Sequence, residues 1–259
     1  MDIAEKLRQD IEDSEMVLVG IGEEMGISEH EIMNSMPVLF QENMDFEQRL
    51  GYLMRQAYQQ ITGERYLLAY KRLNELIQKK NYFLVSVNTD NLAKRADFQE
   101  SRQVYPCGGY DKLQCPSGCE AEWEQPDERW DSWAKESLRR MHTVQSFPEK
   151  AHCRKCGREL VFNNIYAEKY REEGYFADWA KYTKWIQGTV NHKVCILELG
   201  VGMKYPSVIR WPFEKIATYN QKATFYRIHS ALYQMPDSLN GAGYSVPENP
   251  VDFLINKFV

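Results

Sequence analysis

Two close cysteine pairs, Cys115 with Cys119 and Cys153 with Cys156, lie near the middle of this 259-residue chain, each with the spacing of a turn that carries metal ligands. Four thiolates from two such turns are the soft tetrahedral set that a structural zinc takes. Gly157 follows the second pair, as glycine often does in zinc-knuckle turns. Four cysteines fill the coordination sphere, so this zinc would keep no open position for catalysis. Reduced, buried thiols without metal are the alternative.

A second set of residues could hold a nucleotide. Three apolar stretches run into short turns: Gly20-Ile21-Gly22, Asn88-Thr89-Asp90 and Gly200-Val201-Gly202. Glycines let a backbone turn tightly and approach a phosphate, while Asn88 and Asp90 offer polar groups to a ribose or an amide. Neighbouring parallel strands would bring all three turns to one sheet edge, where ligands of open α/β sheets bind. Taken singly, each has a plainer explanation: loop glycines, and Asn88 and Asp90 capping the next helix.

Such an edge requires a wound sheet. Residues 81–90 begin with a run apolar on both faces, as suits a central parallel strand. Ile3, Leu7 and Ile11 recur at helical steps before a brief strand at 16–19. The stretch 37–60 reads as one or two helices, 66–80 as a helix feeding the 82–88 strand, and 91–96 as a short helix. Further on, 166–186 reads as helix, 193–199 as strand, 213–219 as helix and 223–228 as strand, before a polar tail over 236–250. Between 107 and 162 aliphatic residues thin out, and Trp123, Trp130 and Trp133 accompany the paired cysteines. The expected class is α/β: a Rossmann-like parallel sheet with helices on both faces, built from residues 1–106 and 163–259, plus a small zinc-binding module at 107–162.

Composition narrows the partners. The chain is 43% hydrophobic and 27% charged, which places it among ordinary globular proteins. A formal net charge of -5 argues against nucleic acid, whose recognition needs clustered Lys and Arg. No apolar run is long enough to span a membrane and the first residues lack a signal-peptide pattern, so a cytoplasmic protein without a membrane partner is expected. Of the histidines, His30 reads as lying in a surface loop, His192 and His229 as flanking strands, and His142 and His152 as belonging to the cysteine region.

The ordered set resembles the sirtuin (Sir2-like) family over roughly residues 1–235. In that family Gly-Ala-Gly-x-Ser opens the NAD site, Gln-Asn-x-Asp-x-Leu follows the next strand, His-Gly supplies the catalytic base, four cysteines hold zinc and Gly-Thr-Ser closes the pocket. Gly20 and Gly22 match the first motif, Asn88, Asp90 and Leu92 the second, and Cys115, Cys119, Cys153 and Cys156 the fourth. The departures are Glu23-Glu24 in place of the serine, Val87 for the glutamine, Cys107-Gly108 for His-Gly, and Gly200-Val201-Gly202 for Gly-Thr-Ser. An acidic Glu24 would repel a pyrophosphate unless it faces a ribose or points away.

The resemblance implies an NAD site made by Gly20, Ile21, Gly22, Asn88, Asp90, Gly200, Val201 and Gly202, with Asn88, Asp90 and Cys107 at the chemistry. It implies cleavage of NAD at the nicotinamide bond, serving deacylation of an acyl-lysine protein or peptide, ADP-ribosyl transfer or NAD hydrolysis. A thiol is a poor replacement for an imidazole base, although Cys107 as nucleophile or redox switch is a further alternative. The second functional reading is a non-catalytic sensor or adaptor that binds NAD or ADP-ribose.

Overall fold

The computed structural model describes residues 2–35, 47–61, 64–120, 123–140, 147–239 and 241–258. In chain order it contains α1 (Ile3–Asp13), β1 (Met16–Ile21), α2 (Glu29–Ser35), α3 (Glu47–Ile61), α4 (Glu64–Ile77), β2 (Asn81–Ser86), β3 (Gln103–Val104) and β4 (Gly108–Gln114). There follow α5 (Glu128–Arg140), β5 (Val161–Asn164), α6 (Phe176–Gln187), β6 (Val194–Leu199), α7 (Arg210–Tyr219), β7 (Ala223–Ile228), β8 (Gly243–Val246) and α8 (Pro250–Lys257).

Six strands form one parallel sheet in the order β3-β2-β1-β6-β7-β8. Every residue of β1 is buried, because helices cover both faces of the sheet. Val17, Val19 and Ile21 pack with Leu7, Ile11, Leu73, Ile77 and Phe253 from α1, α4 and α8. Met16 and Leu18 point the other way, into a core with Tyr182 of α6 and Phe213 of α7. Full burial of each such aliphatic side chain stabilises the fold by about 1.5–3 kcal/mol before entropy is counted, so the two-sided core holds β1 firmly. The Rossmann-like class expected from the sequence is the class found.

Beside this sheet, β4 and β5 pair antiparallel, with Leu113 opposite Phe162. The segment 107–162 does not pack by itself: Tyr52 of α3 stacks on Trp130 of α5, with ring centroids 5.5 Å apart, and Arg55 of α3 donates to Asp131 at 3.0 Å. Gly51 is needed there, since a Cβ would come 2.3 Å from the Phe162 ring.

Several elements depart from their expected bounds. β1 continues through Gly20 and Ile21, which belong to the strand and not to the turn after it. α6 begins only at Phe176, ten residues later than the aromatic and charged pattern suggests; the Glu172–Gly174 stretch before it is a 3-10 turn. Residues 91–96 supply only a 3-10 turn at Ala93–Arg95. The polar tail contains β8, the sixth strand, and α8 follows it, capped by Asn249, whose side chain accepts from the Val251 and Asp252 amides. His30 lies on α2 instead of in a loop. Positions 37–46 of the expected helical stretch, and His142, lie outside the described residues.

Candidate functional site

Because β1 lies between β2 and β6, the three turns singled out in the sequence stand side by side at the carboxyl edge of the sheet. Their glycines differ in what they allow. Gly20 faces α7: a Cβ there would fall 2.4 Å from Ile209 Cγ2 and 2.8 Å from the Phe213 ring. Gly22 admits the neighbouring turn, with Val201 Cα 2.2 Å from where its Cβ would be. Gly200 alone of the three turn glycines after β1 and β6 is left-handed, at φ +63°, and it lets the chain pass close to Glu24.

At the end of β2, Asn88 Nδ2 donates to the Gly22 carbonyl at 2.8 Å, tying the two strand ends together. Asp90 is buried, and its two carboxylate oxygens accept the backbone N–H groups of Ile27 (3.3 Å) and Leu92 (3.0 Å). Burial pushes its pKa up to about 6, against the pull of those hydrogen bonds. Gly26 gives these side chains their space, since a Cβ there would come 2.8 Å from Asp90 Oδ2 and 2.9 Å from Asn88 Nδ2.

A cavity of about 280 Å³ opens over this pair, lined also by Glu23, Gly26, Tyr58, Tyr166, Lys204 and Tyr205 among others. Lys204 Nζ sits 5.5 Å from the ring centroids of both Tyr166 and Tyr205, a cation placed over two aromatic walls. An apolar groove of about 390 Å³, lined by Ile32, Leu50, Met54, Tyr110 and Phe162 among others, shares Tyr58 and Tyr166 with the cavity and so adjoins it.

The turns after β1 and β6 are tied together by a carboxylate. Glu23 Oε2 accepts the Gly202 N–H at 2.7 Å. Glu24 turns away from β1 toward the end of β7, where it accepts the Ser230 N–H at 3.0 Å and the Ser230 hydroxyl. His229 Nδ1 accepts the amides of Ala231 and Leu232, both at 3.1 Å, and burial lowers the pKa of the ring. Glu24 Oε1 lies 3.2 Å from the same nitrogen and opposes that shift.

Two buried arginines fix the loop that follows Ser230. Arg227 pairs with its cross-strand neighbour Glu198 through two hydrogen bonds, 2.6 and 3.0 Å, and donates to the Gln234 carbonyl. Arg210 lies 3.3 Å from Glu198 and donates to the Leu232 carbonyl. Breaking such a buried pair typically costs about 3–5 kcal/mol, a large fraction of the roughly 5–15 kcal/mol by which a domain is stable.

Cys107, expected at the chemistry, is buried among Val87, Val201 and neighbouring apolar groups. Burial pushes its pKa up to about 12, which keeps the thiol protonated and neutral. The other cysteines converge: the sulfurs of Cys115, Cys119, Cys153 and Cys156 all lie within 4.8 Å of one another. Two similar turns achieve this. Gly118 and Gly157 are left-handed at φ +74° and +73°, and their amides donate to the carbonyls of Cys115 (3.0 Å) and Cys153 (2.8 Å). The thiol set, its compactness and its paired turns fit a tetrahedral metal, so this is a four-cysteine cluster that could hold zinc.

Sequence reasoning missed Gly26, Tyr58, Tyr166, Lys204 and the His229-Ser230 pair. The last had a signal, since it directly follows an apolar strand as the other turns do.

No family model matches the chain. It is 25% identical over 205 residues to a protein ADP-ribosyltransferase of Staphylococcus aureus (strain Mu50 / ATCC 700699), covering 77% of this chain and 61% of that protein. It is 27% identical over 137 residues to a probable bifunctional ADP-ribose hydrolase/ADP-ribosyltransferase of Fusarium oxysporum f. sp. cubense, covering 52% and 23% respectively. The chain thus spans less than two thirds of either relative's length. Among solved structures it superposes on a Sir2 homologue in complex with ADP-ribose, with a TM-score of 0.58, 15% identity and coverage of 100% of this chain and 95% of that one.

Proposed function

We propose that this chain, whose fold is that of the Sir2 proteins, binds NAD or ADP-ribose along its strand-end rim and carries out ADP-ribosyl chemistry there. The carrying observation is the cavity over Asn88 and Asp90, set where three neighbouring parallel strands end. The name of the staphylococcal relative, matched over 77% of this chain, supports transfer of ADP-ribose more than deacylation. NAD, when bound, would supply an ADP-ribosyl group already joined to nicotinamide, a leaving group that needs no prior protonation.

The chain's own residues would do the rest. Asn88, anchored to the Gly22 carbonyl, presents its amide at the β2 end, and Asp90 holds the amides of Ile27 and Leu92, which sets the cavity wall. Tyr58, Tyr166 and Tyr205 limit water at the reacting centre. The apolar groove that adjoins the cavity would receive a segment of an acceptor protein, acyl-lysine peptides included. The four cysteines would carry a structural zinc, and Cys107 contributes packing instead of a proton acceptor.

One observation favours a second reading, a non-catalytic ADP-ribose sensor: the thiol of Cys107, which the sirtuin resemblance sets in place of the catalytic histidine, is buried and held protonated, so it supplies no base for deacylation. Nicotinamide release from NAD separates the two. The enzyme reading expects release above a heat-killed control, reduced about 100-fold or more in Asn88→Ala, the usual scale for a lost positioning or electrostatic group. ADP-ribose binding without any release supports the sensor. Absence of both release and a ligand-induced thermal shift overturns the cofactor site itself.

A further inference from the structure

The cofactor reading leaves Glu24 without a role, yet its carboxylate is among the most firmly placed groups on the rim. The glycine turn at Gly200 makes room for it, with Glu24 N–H donating to the Gly200 carbonyl at 3.2 Å and a Cβ on Gly200 excluded by Glu24 Cβ at 2.6 Å. Ser230 then holds the carboxylate with both its amide and its hydroxyl. The Glu24 side chain is nonetheless 19% exposed, so part of it stays accessible at the end of β7. Two donors use about half the lone-pair sites of a carboxylate, which leaves capacity for a ligand.

A dinucleotide lying along the rim has a direction. The cavity over Asn88 and Asp90 at the β2 end suits the nicotinamide ribose, and the turns after β1 and β6 lie next. From β2 to β7 are three strand spacings, about 14 Å in all, so the adenosine ribose falls beside Glu24.

We propose that Glu24 is the specificity-determining residue for that ribose: it accepts hydrogen bonds from a free 2′,3′-diol and excludes a 2′-phosphate. The proposal rests on the cofactor reading above. A diol brings the two donors that a carboxylate lacks, whereas a 2′-phosphate brings only acceptors and negative charge. The cations nearby do not offset that charge. His229 Nδ1 is engaged by the amides of Ala231 and Leu232, Arg227 is committed to Glu198 and Glu214, and Arg210 is buried against Glu198 and the Leu232 carbonyl.

Calorimetric titration with ADP-ribose and with its 2′-phosphate tests this without turnover. Wild type is expected to prefer ADP-ribose by roughly tenfold or more, the scale of one like-charge contact at a partly solvated site. Glu24→Gln, which keeps an acceptor for Ser230, should narrow that ratio severalfold. Ser230→Ala, which loosens the carboxylate but keeps its charge, should weaken ADP-ribose while the preference persists. Equal binding of the two ligands by wild type, or an unchanged ratio in Glu24→Gln, overturns the role of Glu24 while leaving the cofactor site standing. Binding of neither ligand by wild type overturns both.

Discussion

Burial raises the Asp90 carboxyl well above its ordinary range, while its two backbone contacts favour the charged form. Its pKa near 6 lies above the usual carboxylate value, so between about pH 4 and 6 the folded state binds a proton that the unfolded chain has already released. The contribution of Asp90 to stability therefore falls as pH rises through that window and is constant above it. Asp90→Asn removes the titration but leaves one of the amides of Ile27 and Leu92 without an acceptor. Thermal melts of the two proteins should show the variant gaining on wild type by up to about 2–3 kcal/mol between pH 4 and 6, two pKa units of differential charging. A stability difference independent of pH would show that Asp90 is not buried as an acid.

At the level of elements, β1, β2, β6 and β7 were legible because buried parallel strands are continuous apolar runs that stop at turn residues. β8 was not, since Gly243-Tyr244-Ser245-Val246 is short, partly polar and stabilised by pairing with β7, an edge contact with no local pattern. The start of α6 was misjudged because aromatics such as Tyr170 and Tyr175 pack in loops as readily as in helices. Gly20 is the instructive glycine. It reads as half of a phosphate turn, but it sits inside β1 and clears space for Ile209 and Phe213. Gly20→Ala should cost about 1–3 kcal/mol by overpacking against α7 and lower Tm by several degrees, measured by calorimetry. An unchanged Tm would mean that α7 moves freely on the sheet.

Over the whole molecule, the four-cysteine cluster pins together the two ends of the connection between β4 and β5, which includes α5, and β5 leads directly into Ile165 and Tyr166 of the cavity lining. Elemental analysis should find about one zinc per chain. Chelation, or Cys153→Ser, should lower Tm and expose the thiols to titration, with a smaller loss in the far-UV signal of the wound sheet. Retention of Tm after complete metal removal would mark the cluster as packed thiols. The spacing of these cysteines was readable because metal turns are local. The partners of Glu23 and Glu24 were unreadable because Gly202 and Ser230 come from distant strands.

The Glu23–Gly202 contact has one more consequence under the proposed cofactor reading. A phosphate seeking the Gly202 N–H would meet a carboxylate already tethered to that amide. Its affinity would then be the difference between two anions for one donor, so Glu23→Gln should tighten binding of ADP-ribose in a calorimetric titration.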